Sequence, residues 1–203
     1  MLSILFTAAS RALPLVAGAT PLSALAHPGT DQGGHHAFLS GMLHPMVGAD
    51  HLAAMVAVGL WSALAARRAW PDLLVAPFAF AAMLLCGALA GLAGFGIAGV
   101  EPMIAASVLV MGLLVMTRLH LNASVGAVLV GAFAVFHGLA HGHELAGQSH
   151  AAATLAGMLV ATVALHAAGI ACGWALRHRS RWLPRVAGAA VALFGVALLA
   201  GAA

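Results

Sequence analysis

The chain has 203 residues, of which 63% are hydrophobic and only 6% charged, and its formal net charge is +3. A soluble domain is about half apolar and about a quarter charged, so this composition excludes a water-soluble globular protein. All eight basic residues are arginines in short groups between hydrophobic segments, which argues against a nucleic-acid partner. The composition predicts a single-domain, all-α membrane protein.

Residues 1–26 resemble a secretory signal peptide. Arg11 ends a short N-terminal region, and the apolar stretch after it is too short to span a bilayer. Small residues directly before His27 match a signal-peptidase cleavage site. Cleavage there would leave a polar, histidine-containing leader over residues 27–36, outside the inner membrane. An uncleaved first helix is the alternative, and the leader histidines either collect metal or are simply solvated.

Six hydrophobic segments follow the leader, each close to the roughly 20 residues that a spanning helix needs. We therefore predict a six-transmembrane-helix bundle within residues 37–203. The predicted spans are Ala37–Ala65, Asp72–Phe95, Glu101–Thr117, Leu121–Glu144, Ala151–Leu176 and Pro184–Gly201.

The arginines after the signal peptide predict the orientation of the bundle. All of them fall in or directly beside the first, third and fifth connections between spans, and the second and fourth connections contain none. Cytoplasmic loops carry the excess of arginine and lysine in membrane proteins. We therefore expect a multi-pass protein of the bacterial inner membrane, with the mature N-terminus in the periplasm.

Glycines four residues apart predict places where two helix backbones approach closely. The pairs are Gly87 and Gly91, Gly138 and Gly142, and Gly169 and Gly173. Because the chain has 24 glycines, chance is the alternative explanation. Cys86 and Cys172 each stand alone in an apolar segment, and we expect both to be buried small hydrophobic residues.

The first span carries three ionisable residues, His44, Asp50 and His51, although an ionisable group in mid-membrane costs about 2.5–3.5 kcal/mol on insertion scales. His44 and His51 are two helical turns apart and should share a face. Pro45 and Gly48 should loosen the helix between them. A structural hydrogen-bond cluster is the alternative to a functional site.

The fourth span carries a second group, because His137, His141 and Glu144 follow one helical stripe while His143 lies off it. Glu101 opens the third span, where it could instead simply favour the helix dipole. The predicted topology brings these groups to the same outer level as the first span's histidines. Imidazoles with carboxylates form a site for a divalent transition metal, and without thiolates they suit an ion in transit.

Other polar and sulfur-containing residues have simpler explanations. His166 stands alone on an apolar segment, where a packing histidine and a place on the inward path are both open. Met46, Met55 and Met111 are expected to be core residues; as ligands they would indicate Cu(I) instead.

Three stretches resemble the HupE/UreJ family of nickel permeases. "HPMVGADHLAAMVAVGLW" from His44 to Trp61 is similar to its HP-x-x-G-x-DH-x-x-AM-x-x-VG pattern, and "FHGLAHGHE" (136–144) and "VEPMIAASVLVMG" (100–112) resemble two further motifs. The resemblance implies a hydrogenase or urease accessory protein that brings nickel into the cell. Carried over by position, it implies metal handling by His44, Asp50, His51, Glu101, His137, His141 and Glu144.

The leading hypothesis is therefore secondary uptake of Ni²⁺, with Co²⁺ as a second candidate cargo, by a protein that is not an enzyme and holds no prosthetic group. Its expected partners are the nickel ion and the lipid bilayer, with an indirect link to hydrogenase or urease maturation. The alternative is an integral-membrane zinc-dependent hydrolase, in which the same histidines would form a closed three-ligand site. Tight, stoichiometric zinc would favour the hydrolase, and weak, exchangeable nickel the permease.

Overall fold

The computed structural model describes residues 34–66, 71–177 and 179–202, and the predicted signal peptide lies outside them. These residues form seven α-helices and no strand, which confirms the predicted all-α fold. The helices are α1 (Gly34–Val47), α2 (Ala49–Ala65), α3 (Asp72–Leu92), α4 (Val100–Thr117), α5 (Ala123–Leu145), α6 (Ala151–Arg177) and α7 (Trp182–Leu199).

Five of the helices, α3 to α7, are each long and apolar enough to cross a membrane. The predicted first span is not one helix: α1 and α2 meet at an angle of 80° and pass the same test only together, giving up to six spans. The break is at Gly48, whose backbone is extended (φ −71°, ψ 108°), three residues after Pro45. Helix α1 also begins earlier than predicted, at Gly34.

The helices pack in pairs, with α3 on α5, α4 on α7, and both α1 and α2 on α6. All three predicted glycine pairs lie in such interfaces, and the contact between α3 and α5 shows why glycine is needed there. A Cβ atom on Gly87 would overlap the carbonyl oxygen of Val135, and one on Gly138 would overlap that of Leu84. The two backbones are therefore in direct contact, which fixes how α5 faces the rest of the bundle.

Two side-chain hydrogen bonds tie together the C-terminal ends of α2, α4 and α6. The Trp61 indole donates to the Leu119 carbonyl (2.9 Å), and the Arg177 guanidinium donates to the Ala66 carbonyl (3.2 Å). Arg118 follows α4 directly and so lies at the same end, which we call the arginine end. Helix α2 begins at the opposite end with His51 in its first turn, and we call this the histidine end.

The buried core includes Met55, Phe80 and Met111, which confirms the expectation for two of the three methionines. The expectation for Met46 was wrong, because it is exposed. The expectation for the cysteines was wrong, because Cys86 and Cys172 are both exposed. A membrane-spanning helix is apolar on its outer face as well as its inner face, so the hydrophobicity of a segment does not tell which side chains are buried.

Replacing Gly87 with alanine should destabilise the bundle, because the added methyl group forces α3 and α5 apart. Overpacking of this kind costs about 1–3 kcal/mol. For a chain of this size that corresponds to a decrease in Tm of roughly 2–12 °C, measurable by thermal unfolding in detergent. Gly34→Ala is the matched control, since nothing lies within 4 Å of its added Cβ atom. An unchanged Tm in Gly87→Ala would contradict the described backbone contact.

Candidate metal centre

Four imidazoles from three helices meet at the histidine end, where they form what we call the histidine cluster. His44 comes from α1, His51 from α2, and His137 and His141 from α5. The ring centroids of His51 and His141 are 4.6 Å apart, those of His44 and His141 5.0 Å, and those of His51 and His137 5.1 Å. The convergence predicted for the first and fourth spans is therefore present, whereas Glu101 of the third span is not part of the cluster.

Burial increases along the cluster. The side chain of His44 is 38% exposed, that of His51 11% and that of His141 2%, and His137 is fully buried. The cluster is therefore open at His44 and closed at His137. An ion arriving from the histidine end would meet His44 first.

The carboxylate of Asp50 determines which nitrogen of His51 carries the proton. Oδ1 of Asp50 lies 2.9 Å from both Nδ1 and the backbone nitrogen of His51. An ionised carboxylate only accepts hydrogen bonds, so Nδ1 must be the donor and Nε2 is left with a free lone pair. Nε2 is buried and has no hydrogen-bond partner.

Gly48 provides the space for this pair. A Cβ atom on Gly48 would lie 3.2 Å from both Oδ1 of Asp50 and Nδ1 of His51. The glycine that breaks the first span therefore also leaves room for the hydrogen bond between the carboxylate and the imidazole.

The hydroxyl of Ser107, on α4, does for His137 what Asp50 does for His51. It lies 2.6 Å from the Ile104 carbonyl oxygen and 2.9 Å from Nε2 of His137. A hydroxyl has one proton, which must go to the carbonyl, so the hydroxyl accepts from Nε2–H. Nδ1 of His137 therefore has the free lone pair, and it is buried without a partner.

Glu144 is the corresponding group for His141, although it lies at the rim with its side chain 57% exposed. One of its oxygens, Oε2, is 3.5 Å from Nδ1 of His141 and 3.9 Å from Nε2 of His44. Nε2 of His141 is again buried and unpartnered. Together, His44, His141 and Glu144 can offer three ligand atoms within 4.8 Å of one another.

Three buried imidazoles thus share one arrangement, in which the first ring nitrogen is held by an acid or hydroxyl and the second is unpartnered. Burying a polar atom without a partner is costly, and such atoms are few in folded proteins. Neutral imidazole with its other nitrogen hydrogen-bonded is the form in which histidine binds a transition metal. The donor set therefore fits a divalent ion, with Asp50 and Ser107 as orienting groups.

Glu101 is not brought into contact with the histidine cluster. It is exposed at the start of α4, and it lines with Asp50 a separate cavity of about 350 Å³ bounded by the end of α7. His166 is not part of the cluster either; its ring packs against Phe80, whose ring also contacts that of His137. His143 is exposed, as its position off the stripe predicted.

Sequence reasoning missed Ser107, which lies inside the third motif stretch. The signal was present, because Ser107 is the one polar residue between Pro102 and Met116 of α4, and its side chain is buried. Its partner could not be found from spacing, since the hydrogen bond joins residues of two different helices.

Two comparisons with known proteins identify the family. The sequence profile described as "HupE / UreJ protein" matches residues 15–198. The chain is 42% identical over 190 residues to "Protein HupE" of Rhizobium leguminosarum bv. viciae, covering 92% of this chain and 95% of that protein. No solved structure matches. The chain belongs to the HupE/UreJ family.

Proposed function

We propose that this member of a family of nickel- and cobalt-permease-type accessory proteins is a secondary transporter that takes up Ni²⁺ across the bacterial inner membrane. The observation that carries the proposal is the set of unpartnered, buried ring nitrogens on His51, His137 and His141. Family membership supports the same conclusion, since it covers nearly the whole chain. The nickel is cargo, to be delivered to hydrogenase or urease maturation, and no prosthetic group is proposed.

The donor set suits transport better than storage. A transported ion must bind well enough to enter and weakly enough to leave. Imidazole and carboxylate meet that requirement for nickel, whereas thiolates hold softer ions tightly. The two cysteines, on α3 and α6, are exposed and are not part of the histidine cluster. Met55 and Met111 are in the hydrophobic core.

Each of the seven candidate residues has a proposed role. His44 and Glu144 receive the ion at the open rim. The inner imidazoles, those of His51, His137 and His141, bind it next. Asp50 orients His51 and adds negative charge. Glu101, on the cavity it shares with Asp50, attracts cations toward the histidine end without contacting the cluster.

The membrane potential would drive uptake in the proposed orientation. If the arginine end is cytoplasmic, as the positive-inside rule predicts, the histidine end opens to the periplasm and the mature N-terminus is periplasmic. A divalent ion moving to a negative interior gains about 4.6 kcal/mol per 100 mV, twice the value for a single charge. No nucleotide hydrolysis is needed for accumulation.

The comparisons do not support the zinc-hydrolase alternative, because the name of the similar protein, Protein HupE, indicates no hydrolase. A metal assay on the purified protein separates the two functions. Nickel that exchanges freely supports the permease. Zinc bound tightly, in a one-to-one ratio that survives purification, contradicts it.

Asp50→Asn and His51→Ala should each abolish nickel accumulation while the protein still inserts in the membrane. Asparagine keeps an oxygen that can accept from His51 but loses the charge, and alanine removes a ring nitrogen of the cluster. The measurement is uptake of radioactive nickel into proteoliposomes at a clamped, inside-negative potential, with Co²⁺, Zn²⁺ and Cu²⁺ as competitors.

His143→Ala is the matched control for these variants, because His143 is an exposed histidine on the same helix as His137 and His141. Its uptake should stay within about twofold of the wild-type rate. Wild-type uptake in both Asp50→Asn and His51→Ala would contradict the proposed function.

Ser107→Ala should weaken nickel binding by roughly 10- to 100-fold, the usual effect of removing a group that orients a metal-binding histidine. Without the hydroxyl, Nε2 of His137 has no acceptor, and the proton is free to move to Nδ1. Isothermal titration with Ni²⁺ measures the change in Kd. Thr117→Ala is the matched control, because the exposed Thr117 hydroxyl on the same helix donates its hydrogen bond to the Leu113 carbonyl (2.7 Å). This variant should leave the Kd unchanged. Equal affinities in both variants would exclude a role for Ser107.

A further inference from the structure

A wide apolar groove lies on the outside of the bundle between α3, α5 and α6. Its volume is about 990 Å³, within the range of about 300–1,000 Å³ that small-molecule sites occupy. Each of the three helices contributes lining residues, among them Leu74, Phe78, Val128, Ala132, Val163 and Ile170. Among the described residues that line the groove, only His166 is polar, and its Nε2 atom is buried. An occupant of the groove would therefore contact hydrocarbon almost everywhere.

The groove opens toward the lipid. Phe78, Val128 and Val163 on its walls are 75%, 73% and 58% exposed, and each lies in a helix that is long and apolar enough to cross a membrane. Ala132 and Ala167 are exposed as well, and their small side chains leave the space between the three helices unfilled. The hydrocarbon core of a bilayer holds no water to fill such a space, so an acyl chain or another helix must occupy it.

Arg177 lies where the groove reaches the arginine end. Ile170, which lines the groove, packs against the buried residues Ala66 and Leu73. Arg177 is two turns after Ile170 on the same face of α6, and its guanidinium donates to the Ala66 carbonyl (3.2 Å). Pro71, directly before α3, lines the groove at the same end. The groove therefore has a cationic side chain at its mouth.

The guanidinium of Arg177 is available to an anion. Its hydrogen bond to the Ala66 carbonyl uses one of its five N–H donors, and no carboxylate in the described part of the chain forms an ion pair with it. Asp72, the acid in the first turn of α3, lines a separate cavity of about 400 Å³. Trp174 is 47% exposed, and its ring centroid is 5.5 Å from the guanidinium carbon of Arg177. Because exposed tryptophans mark the level of the lipid headgroups, Arg177 is at the depth of a phosphate.

We infer that the groove binds one acyl chain of an anionic phospholipid and that Arg177 binds the phosphate of the same lipid. Basic pockets between membrane helices on the cytoplasmic side bind such headgroups. A guanidinium can bond two phosphate oxygens at once, which adds geometric specificity to the charge. The inference does not depend on the transport of nickel.

The charge at the mouth of the groove favours a lipid over a second copy of the chain. Two copies related by a twofold axis along the membrane normal would present the same groove to each other. Their Arg177 side chains would then lie at the same level, and no carboxylate is among the described residues that line the groove. A phosphate supplies the negative charge that these residues lack.

The test compares phosphatidylglycerol, which is anionic, with phosphatidylcholine of the same acyl chains, which has no net charge. Native mass spectrometry of the full chain in detergent measures the Kd of each lipid. The wild-type chain should bind phosphatidylglycerol about fivefold more tightly, the effect of one arginine beside an anionic headgroup. Arg177→Gln should remove this preference. Ala132→Phe should weaken the binding of both lipids, because the phenyl ring occupies the groove.

Helix α7, which does not line the groove, offers a matched control for each variant. Arg185 lies over Trp182 as Arg177 lies over Trp174, with its guanidinium carbon 5.6 Å from the ring centroid. Ala190 is an exposed alanine of the same helix. Arg185→Gln and Ala190→Phe should leave the Kd of both lipids at the groove unchanged.

Equal affinities of the wild-type chain for the two lipids, or an unchanged Kd for phosphatidylglycerol in Arg177→Gln, would overturn the inference. If Arg177→Gln fails to insert because its bond to Ala66 is lost, Ala132→Phe decides, and unchanged lipid binding there overturns the inference as well. A dimer that Ala132→Phe converts to a monomer, with lipid binding unchanged, would assign the groove to a second copy instead.

Discussion

The structure of the site depends on one kind of interaction, in which an acidic or hydroxyl group holds one nitrogen of a buried imidazole. Asp50 does this for His51, Ser107 for His137 and Glu144 for His141. In each ring the remaining nitrogen is buried and unpartnered. The free energy lost by leaving three such atoms unpaired would be difficult to explain in a site that binds nothing. The same arrangement is what a neutral, pre-oriented metal ligand requires.

The bundle is organised so that these interactions can form at one end. Because of the 80° break at Gly48, His44 and His51 lie on two different helices although both belong to one predicted span, and their ring centroids are 6.0 Å apart. The direct backbone contact between α3 and α5 fixes the position of α5, which carries His137 and His141 one turn apart. The arginine-bearing helix ends lie at the opposite end, tied together by hydrogen bonds to backbone carbonyls. An ion path from one end to the other is thus compatible with a charge distribution that fixes orientation in the membrane.

Much of this could be predicted from the sequence, because a bilayer allows few solutions for a chain with so little charge. The helices, the glycine contacts and the meeting of His44, His51, His137 and His141 all follow from hydropathy, spacing and alternating direction. The proximity of His44 and His51 was right for an incomplete reason, since a bend rather than a continuous helix brings them together. The orienting role of Ser107 and the outward position of Cys86 depend on which helices become neighbours, and spacing within one segment does not contain that information.

The central claim is that the imidazoles of the histidine cluster bind the nickel ion directly. X-ray absorption at the nickel edge, on the purified protein loaded with one equivalent of Ni²⁺, tests this claim most directly. We expect nitrogen and oxygen ligands and no sulfur, with the multiple scattering of two or three imidazoles, which should be weaker in His51→Ala. A spectrum of fully hydrated nickel, or one dominated by sulfur, would contradict it.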